Sequence, residues 1–576
     1  MLNKQRKIKG RFWIMDSFTT FSQYKYVRPD FEETKKLIRI AVESMKKAES
    51  KEEAMSVFKK VNKENMHLRT MATVAEIRNT IDTKDAFYEA EMQCFYENMP
   101  LIDIEMQEFQ KAVLNSVYLE DLKTKYGELY FVRMKRLMKL VNKNNVDNQV
   151  EESNLVQLYH KTAAAPSIQF NGETLNFYGL LKKMQDPDRK IRKAALTAWS
   201  ELYQSIADDL NDIYTKLIDN RIRQAEVLGF KDYTEMMYLS MERFDYDRED
   251  VARYREMIRK FVVPLVADIY EEQRKRLGID HLYYYDEDMT SPEGNAVPYG
   301  KTEGQVKLAQ KMYHELSKET GEFFDFMVEH ELFDLETRPG KMQGGYCTFL
   351  PDLMAPFIFS NFNGTSADVD VLTHEAGHAF EAYTATRGGV PDEIAFSTSE
   401  VAEIHSMSME CLTYPWMEYF FKEKADQYRR THLEEGLRVI PYMACVDEFQ
   451  HEVYAQKMAD AKERYKLWHS LEEKYMPWRD YDGDAFLEAG GFWMQKQHIF
   501  MCPFYYIDYS LASMGAFEYY IRSLNDREEA WKDYYRLCTM GGSKGYLELL
   551  DEGNLSNPFS EGTVEGIMKK LRKKIF

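Results

Sequence analysis

Cysteine is scarce in this chain of 576 residues, and the six present (Cys94, Cys347, Cys411, Cys445, Cys502 and Cys538) are scattered, with no Cys-x-x-Cys pair. That pattern excludes a disulfide scaffold and suits a long intracellular enzyme. No apolar run is long enough to span a bilayer. The basic start (Lys4, Arg6, Lys7, Lys9, Arg11) is not followed by an apolar run of signal-peptide length, because Asp16 interrupts it. Basic charge is also in deficit, with 76 Lys and Arg against 95 Asp and Glu and a net charge of -19. Such acidity argues against nucleic acid or an anionic membrane as a partner, and it serves solubility. A cytoplasmic protein, monomeric or weakly homo-oligomeric, is the expectation. The first residues show little pattern, so an N-terminal extension of disordered character is expected over 1–20, with Met15 as an alternative start to Met1.

Proline is sparse, at 16 residues, and strict alternation of apolar and polar residues is rare. What is there is helical periodicity. Tyr254, Met257, Ile258, Phe261, Leu265 and Ile269 recur at spacings of three and four, and Pro264 inside that run predicts a kink or break. Asp186-Pro187-Asp188 opens a second helical stretch through Ile191, Ala195 and Trp199. The fold class is therefore mainly all-α, and the length implies two or more lobes. An N-terminal helical region is expected over 21–190 and a catalytic region over 191–576. One region breaks the rule. Residues 344–350 and 356–362 are short, aromatic and β-branched, separated by Pro351-Asp352, and predict a small strand pair whose edge could take up an extended peptide. The polar run Asp286 to Gly300 lacks calcium-loop spacing and predicts a solvated connection.

The chemistry lies in His374-Glu375-Ala376-Gly377-His378. Two histidines four apart share one helical face and can share a metal, and the glutamate beside the first can serve as base toward a metal-bound water. Chance supplies such a motif in this composition at about a few hundredths of a match, so context matters. Thr365 and Asp368 fit a capping box that would open this helix, and Ser397 and Glu400 fit a second for the next one. On that next helix Glu400, Glu403, Met407 and Glu410 form a stripe. Several carboxylates on one stripe are costly to bury without a cation or hydrogen bonds. Glu403 is the preferred third ligand, Glu410 the acceptor orienting a ligand histidine, and Glu400 the competitor for either role. His405 points to another face. Position 384, where a third histidine would stand in another class of zinc peptidases, is Thr384. Downstream, His498, Tyr505, Tyr506 and Tyr509 lie in one aromatic segment. Tyr506 and Tyr509 share a helical face and could donate to an oxyanion, or could belong to an ordinary aromatic core.

Taken together, the HEAGH motif, Gly344-Gly345-Tyr346-Cys347-Thr348, residues 355–365, residues 403–410 and Pro503-Phe504-Tyr505-Tyr506-Ile507-Asp508-Tyr509 resemble the thimet oligopeptidase and oligoendopeptidase F family of zinc peptidases. The likeness is greatest to its bacterial Pz-peptidase branch. The resemblance implies a two-lobed helical shell around a deep substrate channel, with a small β-sheet beside the zinc site. It implies one zinc ion per chain, held by His374, His378 and Glu403, which stands 29 residues after the first histidine. It makes Glu375 the general base, gives His498, Tyr506 and Tyr509 to the substrate backbone and oxyanion, and places Gly344, Gly345, Tyr346 and Tyr505 at the substrate. Departures are Ala376, where many relatives carry Phe, and Met342-Gln343, where some are more polar or basic. The implied activity is zinc-dependent hydrolysis of internal bonds in short oligopeptides. The alternatives are a dipeptidyl carboxypeptidase of the same fold and a non-catalytic peptide-binding protein.

Overall fold

The computed structural model describes residues 20–338, 340–342 and 344–576. The alternative start at Met15, all but the last residue of the expected extension, and Gln343 lie outside the described residues.

The chain is mainly α-helical. The first helices form a small core of their own. They are α1 (Phe31–Lys46), α2 (Lys51–Ile81) and α3 (Ala86–Leu114), each opened by a side-chain cap: Asp30 accepts from the Glu33 amide, Ser50 from that of Glu53, and Asp85 from that of Phe87. Ile38, Phe58, Phe95 and Phe109 meet in this core and are almost fully removed from water. Each such side chain contributes about 1.5–3 kcal/mol on burial. Next, β1 (Ile168–Phe170) and β2 (Glu173–Leu175) form a small hairpin. Then α4 (Arg189–Leu228) runs for 40 residues from its Asp188 cap. It lies in a second, larger core that also takes in Val74 and Ile77 of α2, with Ala195, Trp199 and Tyr214 buried.

The kink or break predicted at Pro264 takes a specific form. Helix Arg248–Met257 passes through one π-helical turn, Ile258–Val262, before helix Val263–Leu277, and Pro264 sits in the first turn of the latter. The helix stays continuous there, with the Val263 amide donating across the wider turn to the Ile258 carbonyl just ahead of the proline. The run from Asp286 to Gly300 is solvated only in part: Pro292, Glu293 and Tyr299 are exposed, but its beginning is buried. Asp286 is fully buried and paired with Arg189 and Arg192, Glu287 is paired with Arg479, and the Gln273 amide donates to the carbonyls of Asp286, Glu287 and Met289. Arginines from distant elements neutralise charges that local sequence reads as exposed.

The strand pair is a three-stranded sheet. Its strands are β3 (Phe333–Glu336), β4 (Tyr346–Leu350) and β5 (Ala355–Phe362), ordered β3-β5-β4. β4 and β5 are antiparallel, with Tyr346 opposite Phe359, and β3 adds in parallel to β5. β3 is short and carries Asp334, which hid it from pattern reading. β5 leads into α5 (Ala367–Gly388), followed by α6 (Ser399–Leu412), α7 (Ala425–Ala455) and α8 (Tyr506–Ser523). α6 is packed between α5 and α8, and α7 packs on α8. Among the described residues, no helix is long and apolar enough to cross a membrane.

Candidate metal centre

α5 carries the HEAGH motif, but its expected capping box does not form. Ser366 is the cap position and makes no side-chain cap bond. The Asp368 carboxylate instead accepts from the amides of Asn363 and Gly364, fixing the turn between β5 and α5. The second box is absent too. Thr398 precedes α6, and the Ser397 amide donates to Glu381 of α5. The start of α5 is thus fixed by a local turn of another kind, and that of α6 by a contact with α5.

The crossing of α5 and α6 is closest at Gly377, where an added β-carbon would lie 2.6 Å from the His405 carbonyl oxygen and 2.6 Å from the Ser406 α-carbon. Only a residue without a side chain allows this approach. It brings Glu403 onto the two histidines. Glu403 Oε2 lies 3.2 Å from His374 Nε2 and 3.5 Å from His378 Nε2. One ligand atom from each of the three residues lies within 4.8 Å of the others. The Ser406 hydroxyl donates to Glu403 Oε2 at 2.9 Å, and the Tyr505 hydroxyl donates to Oε1 at 3.1 Å. Burial alone would raise the Glu403 carboxyl, but the two imidazoles outweigh it and hold the group well below the carboxylate range.

The donor set fits a divalent cation. The His374 Nδ1 hydrogen is directed at Glu410 Oε1, 2.5 Å away, which leaves the Nε2 lone pair facing the space shared with His378 and Glu403. Two imidazole nitrogens and one carboxylate oxygen are the ligand types of a catalytic zinc site with open positions. Glu410 is itself fixed: His432 Nε2 lies 2.7 Å from its Oε2. Burial depresses the His432 imidazole, but Glu410 more than compensates and carries it up to about 9, while His374 and His432 together bring Glu410 down to about 2 against the opposing effect of burial. The Tyr414 hydroxyl lies 2.7 Å from His432 Nδ1. Sequence reading missed His432. It lies on α7, with no spacing that links it to the motif.

Glu375 follows His374 on α5 and is 8% exposed. Among the described residues its carboxylate has no hydrogen-bond or ion-pair partner. It lies beside the glycine segment entering β4: a β-carbon on Gly345 would stand 3.8 Å from Glu375 Oε1. Burial raises its pKa, and the neighbouring histidines only partly offset that.

The other expected residues separate. Glu400 lies away from the histidines: burial pushes it up to about 8, Asp508 adds to the rise and Arg243 opposes it. Both its oxygens lack partners among the described residues. His405 is buried on the far face, with Nδ1 3.3 Å from the Cys538 sulfur and Nε2 3.4 Å from Glu381 Oε1. Tyr346 is turned away from the centre. Its hydroxyl is 2.7 Å from Thr80 Oγ1 of α2, and its ring stacks on Phe359. The Gly344 carbonyl accepts from the Asn361 side chain at 2.8 Å.

The rings of the aromatic segment cluster together, and one of them, Tyr505, reaches Glu403 through its hydroxyl. The His498 ring lies 6.0 Å from that of Tyr505, 4.9 Å from Tyr506 and 6.4 Å from Tyr509. Burial, then the Lys496 charge, lowers His498 to about 4, so the ring is neutral near pH 7, and its Nδ1 has no partner among the described residues. Tyr506 is buried, with its hydroxyl accepting from Lys496 Nζ at 3.0 Å. Tyr509 is half-buried, and after burial the charge of Glu403 is the next influence raising its pKa.

Residues 21–141 match the family model for the peptidase M3 N-terminal domain, and residues 183–569 match that for peptidase family M3. A solved oligoendopeptidase F structure superposes with a TM-score of 0.92 at 40% identity, covering 97% of this chain and 98% of that one. Pz peptidase A in complex with an inhibitor superposes with a TM-score of 0.91 at 41% identity, covering 96% and 99%. The oligoendopeptidase F homolog of Borreliella burgdorferi is 22% identical over 64% of this chain, and the match spans 62% of that protein's own length.

Proposed function

This chain belongs to peptidase family M3, and on that premise we propose that it is a zinc-dependent endopeptidase hydrolysing internal bonds of short oligopeptides. The observation carrying this reading is the convergence of His374, His378 and Glu403 beside a Glu375 carboxylate that no other described residue engages. His374 and His378 through Nε2, and Glu403 through a carboxylate oxygen, would hold one zinc ion. When bound, zinc supplies Lewis acidity, bringing the pKa of a water down toward neutrality and polarising a carbonyl.

The chain's own residues do the rest. Glu375 takes the proton from the attacking water and passes it to the leaving amine; its raised pKa suits both halves of that task. Glu410 holds His374 in the tautomer that frees Nε2. Neutral His498 offers its nitrogens to the peptide backbone. Tyr509 donates to the developing oxyanion, because the Tyr505 hydrogen is spent on Glu403; Tyr506, whose oxygen accepts from Lys496, keeps its hydrogen and is the second donor available. Tyr506 supports the His498 ring. β4 lies at the end of its sheet, so the backbone at Gly344 and Gly345 can pair with an extended peptide. The proposal includes a substrate channel that admits short peptides, a catalytic region over 191–576 beside the helical region over 21–190, a cytoplasmic location and a monomer or weak homo-oligomer.

The deciding experiment is a length series of internally quenched peptides assayed with and without a zinc chelator. Cleavage at internal bonds of the short members, abolished by chelation and restored by zinc, is expected. Release of C-terminal dipeptides alone would sink internal cleavage, and zinc-independent hydrolysis would sink the metal assignment.

A further inference from the structure

The turn that delivers the tyrosines to the centre is built on an unfavourable backbone. The Tyr505 amide donates to the Cys502 carbonyl at 3.2 Å, closing a turn with Pro503 second and Phe504 third. Phe504 has a φ of +65°. Proline second and a left-handed residue third is the type II arrangement, whose third position normally takes glycine or asparagine. A bulky aromatic there persists only when its surroundings over-determine it.

They do so from three sides. The Phe504 ring is fully buried, with its centroid 4.8 Å from the His451 ring and 5.7 Å from that of Tyr454. The Phe504 amide donates to Gln450 Oε1 at 3.2 Å, and Gln450, on α7, is itself fully buried. The Phe504 carbonyl accepts from Arg243 Nη2 at 2.7 Å. The same nitrogen donates at 2.6 Å to Oδ1 of Asp508, in the first turn of α8. The Arg243 side chain is 0% exposed, and its guanidinium lies over the Tyr238 ring. Both backbone polar groups of the strained residue are thus held by buried side chains from other parts of the chain. A buried ion pair adds little net stability but strongly constrains direction. The next residue, Tyr505, places its hydroxyl on Glu403.

We propose that Arg243 and Gln450 are positioning residues: by gripping the two backbone groups of Phe504 they fix the turn from which Tyr505 and Tyr509 are aimed at the metal centre. The inference rests on the reading of that centre as a zinc peptidase site. Neither residue reaches substrate or metal, and each acts through the turn.

The test compares Gln450→Leu, which removes the acceptor, with Gln450→Glu, which keeps it, and adds Arg243→Lys, which keeps the charge opposite Asp508 but shortens the reach to the Phe504 carbonyl. In Gln450→Leu and Arg243→Lys, kcat on a quenched peptide should fall about tenfold or more with KM within about threefold and zinc still at one per chain. Gln450→Glu should recover most of the loss. Combined with Tyr505→Phe, Gln450→Leu should cost less than it does alone. Wild-type kcat in Gln450→Leu, or fully additive losses, would overturn the proposal. Hydrogen exchange over 501–509 gives a readout independent of turnover: faster exchange confined to that segment in Gln450→Leu supports the grip, and unchanged exchange refutes it. A wild type without chelator-sensitive hydrolysis would defeat the peptidase reading while leaving the exchange result to decide the grip.

Discussion

A β-carbon on Gly377 would stand 2.6 Å from the α-carbon of Ser406. The two helices that supply the candidate ligands therefore touch backbone to backbone, one residue before His378 and three after Glu403. The glycine of the HEAGH motif is set by this contact and not by any ligand role. Gly377→Ala must move α6 outward. It should destabilise the protein by about 1–3 kcal/mol, the usual range for an overpacked core, and should carry substoichiometric zinc. Metal analysis and thermal denaturation of the purified variant check both outcomes; full zinc occupancy at an unchanged melting temperature would show that the crossing tolerates a methyl group.

Glu375→Gln keeps the shape and removes the base. Zinc content should stay at the wild-type level while kcat falls by about 10²–10⁴-fold, the range for loss of a positioned acid–base group. Steady-state kinetics beside metal analysis separates this from a ligand defect. Turnover near the wild-type rate would reassign the base.

In the proposed centre Glu410 acts on the metal through His374. Glu410→Gln weakens the hold on the Nδ1 hydrogen and leaves His432 with a poorer partner. Zinc affinity should fall by about 10–100-fold, as for other groups that orient a ligand histidine. Competition with a chromogenic chelator measures it, and unchanged affinity would mean that the 2.5 Å contact is only structural.

Glu400 gives a pH prediction. Burial raises its carboxyl from 4.5 to about 8. Between these values the native protein keeps a proton that the unfolded chain has released, so stability declines as pH rises through that window and the contribution is fully present below it. Glu400→Gln removes this dependence. At fixed zinc concentration, the melting temperature of the variant should fall less between pH 5 and pH 8 than that of the wild type; parallel curves would show that Glu400 does not carry the dependence.

The features legible in the sequence were those carried by a single element. His374 and His378 lie one turn apart on one helix, so their spacing alone puts them on the same face. The irregular turn at Pro264 and the start at Asp188 are likewise local. The capping boxes at Thr365 and Ser397 were misleading because Asp368 is taken up by the amides of Asn363 and Gly364, just ahead of Thr365, and the Ser397 amide by Glu381 of α5. Asp286 looked solvated because the arginines that bury it come from α4, nearly a hundred residues earlier.

The sequence by itself determined the helical character, the histidine pair, the glutamate between them and a short list of acids that could complete the centre. It favoured Glu403 among those acids but left Glu400 as a competitor. Glu400 and Glu403 are three apart on one helix, and their spacing places both near a single stripe. Tertiary structure made the choice through the contact at Gly377 and the packing of α6 between α5 and α8, which turn Glu403 to the histidines and Glu400 toward Arg243 and Asp508. It also recruited His432 to Glu410, and Arg243 and Gln450 to the tyrosine turn. Periodicity reports which residues share a face. Which faces meet is decided by close packing between helices, and that is a property of the folded whole.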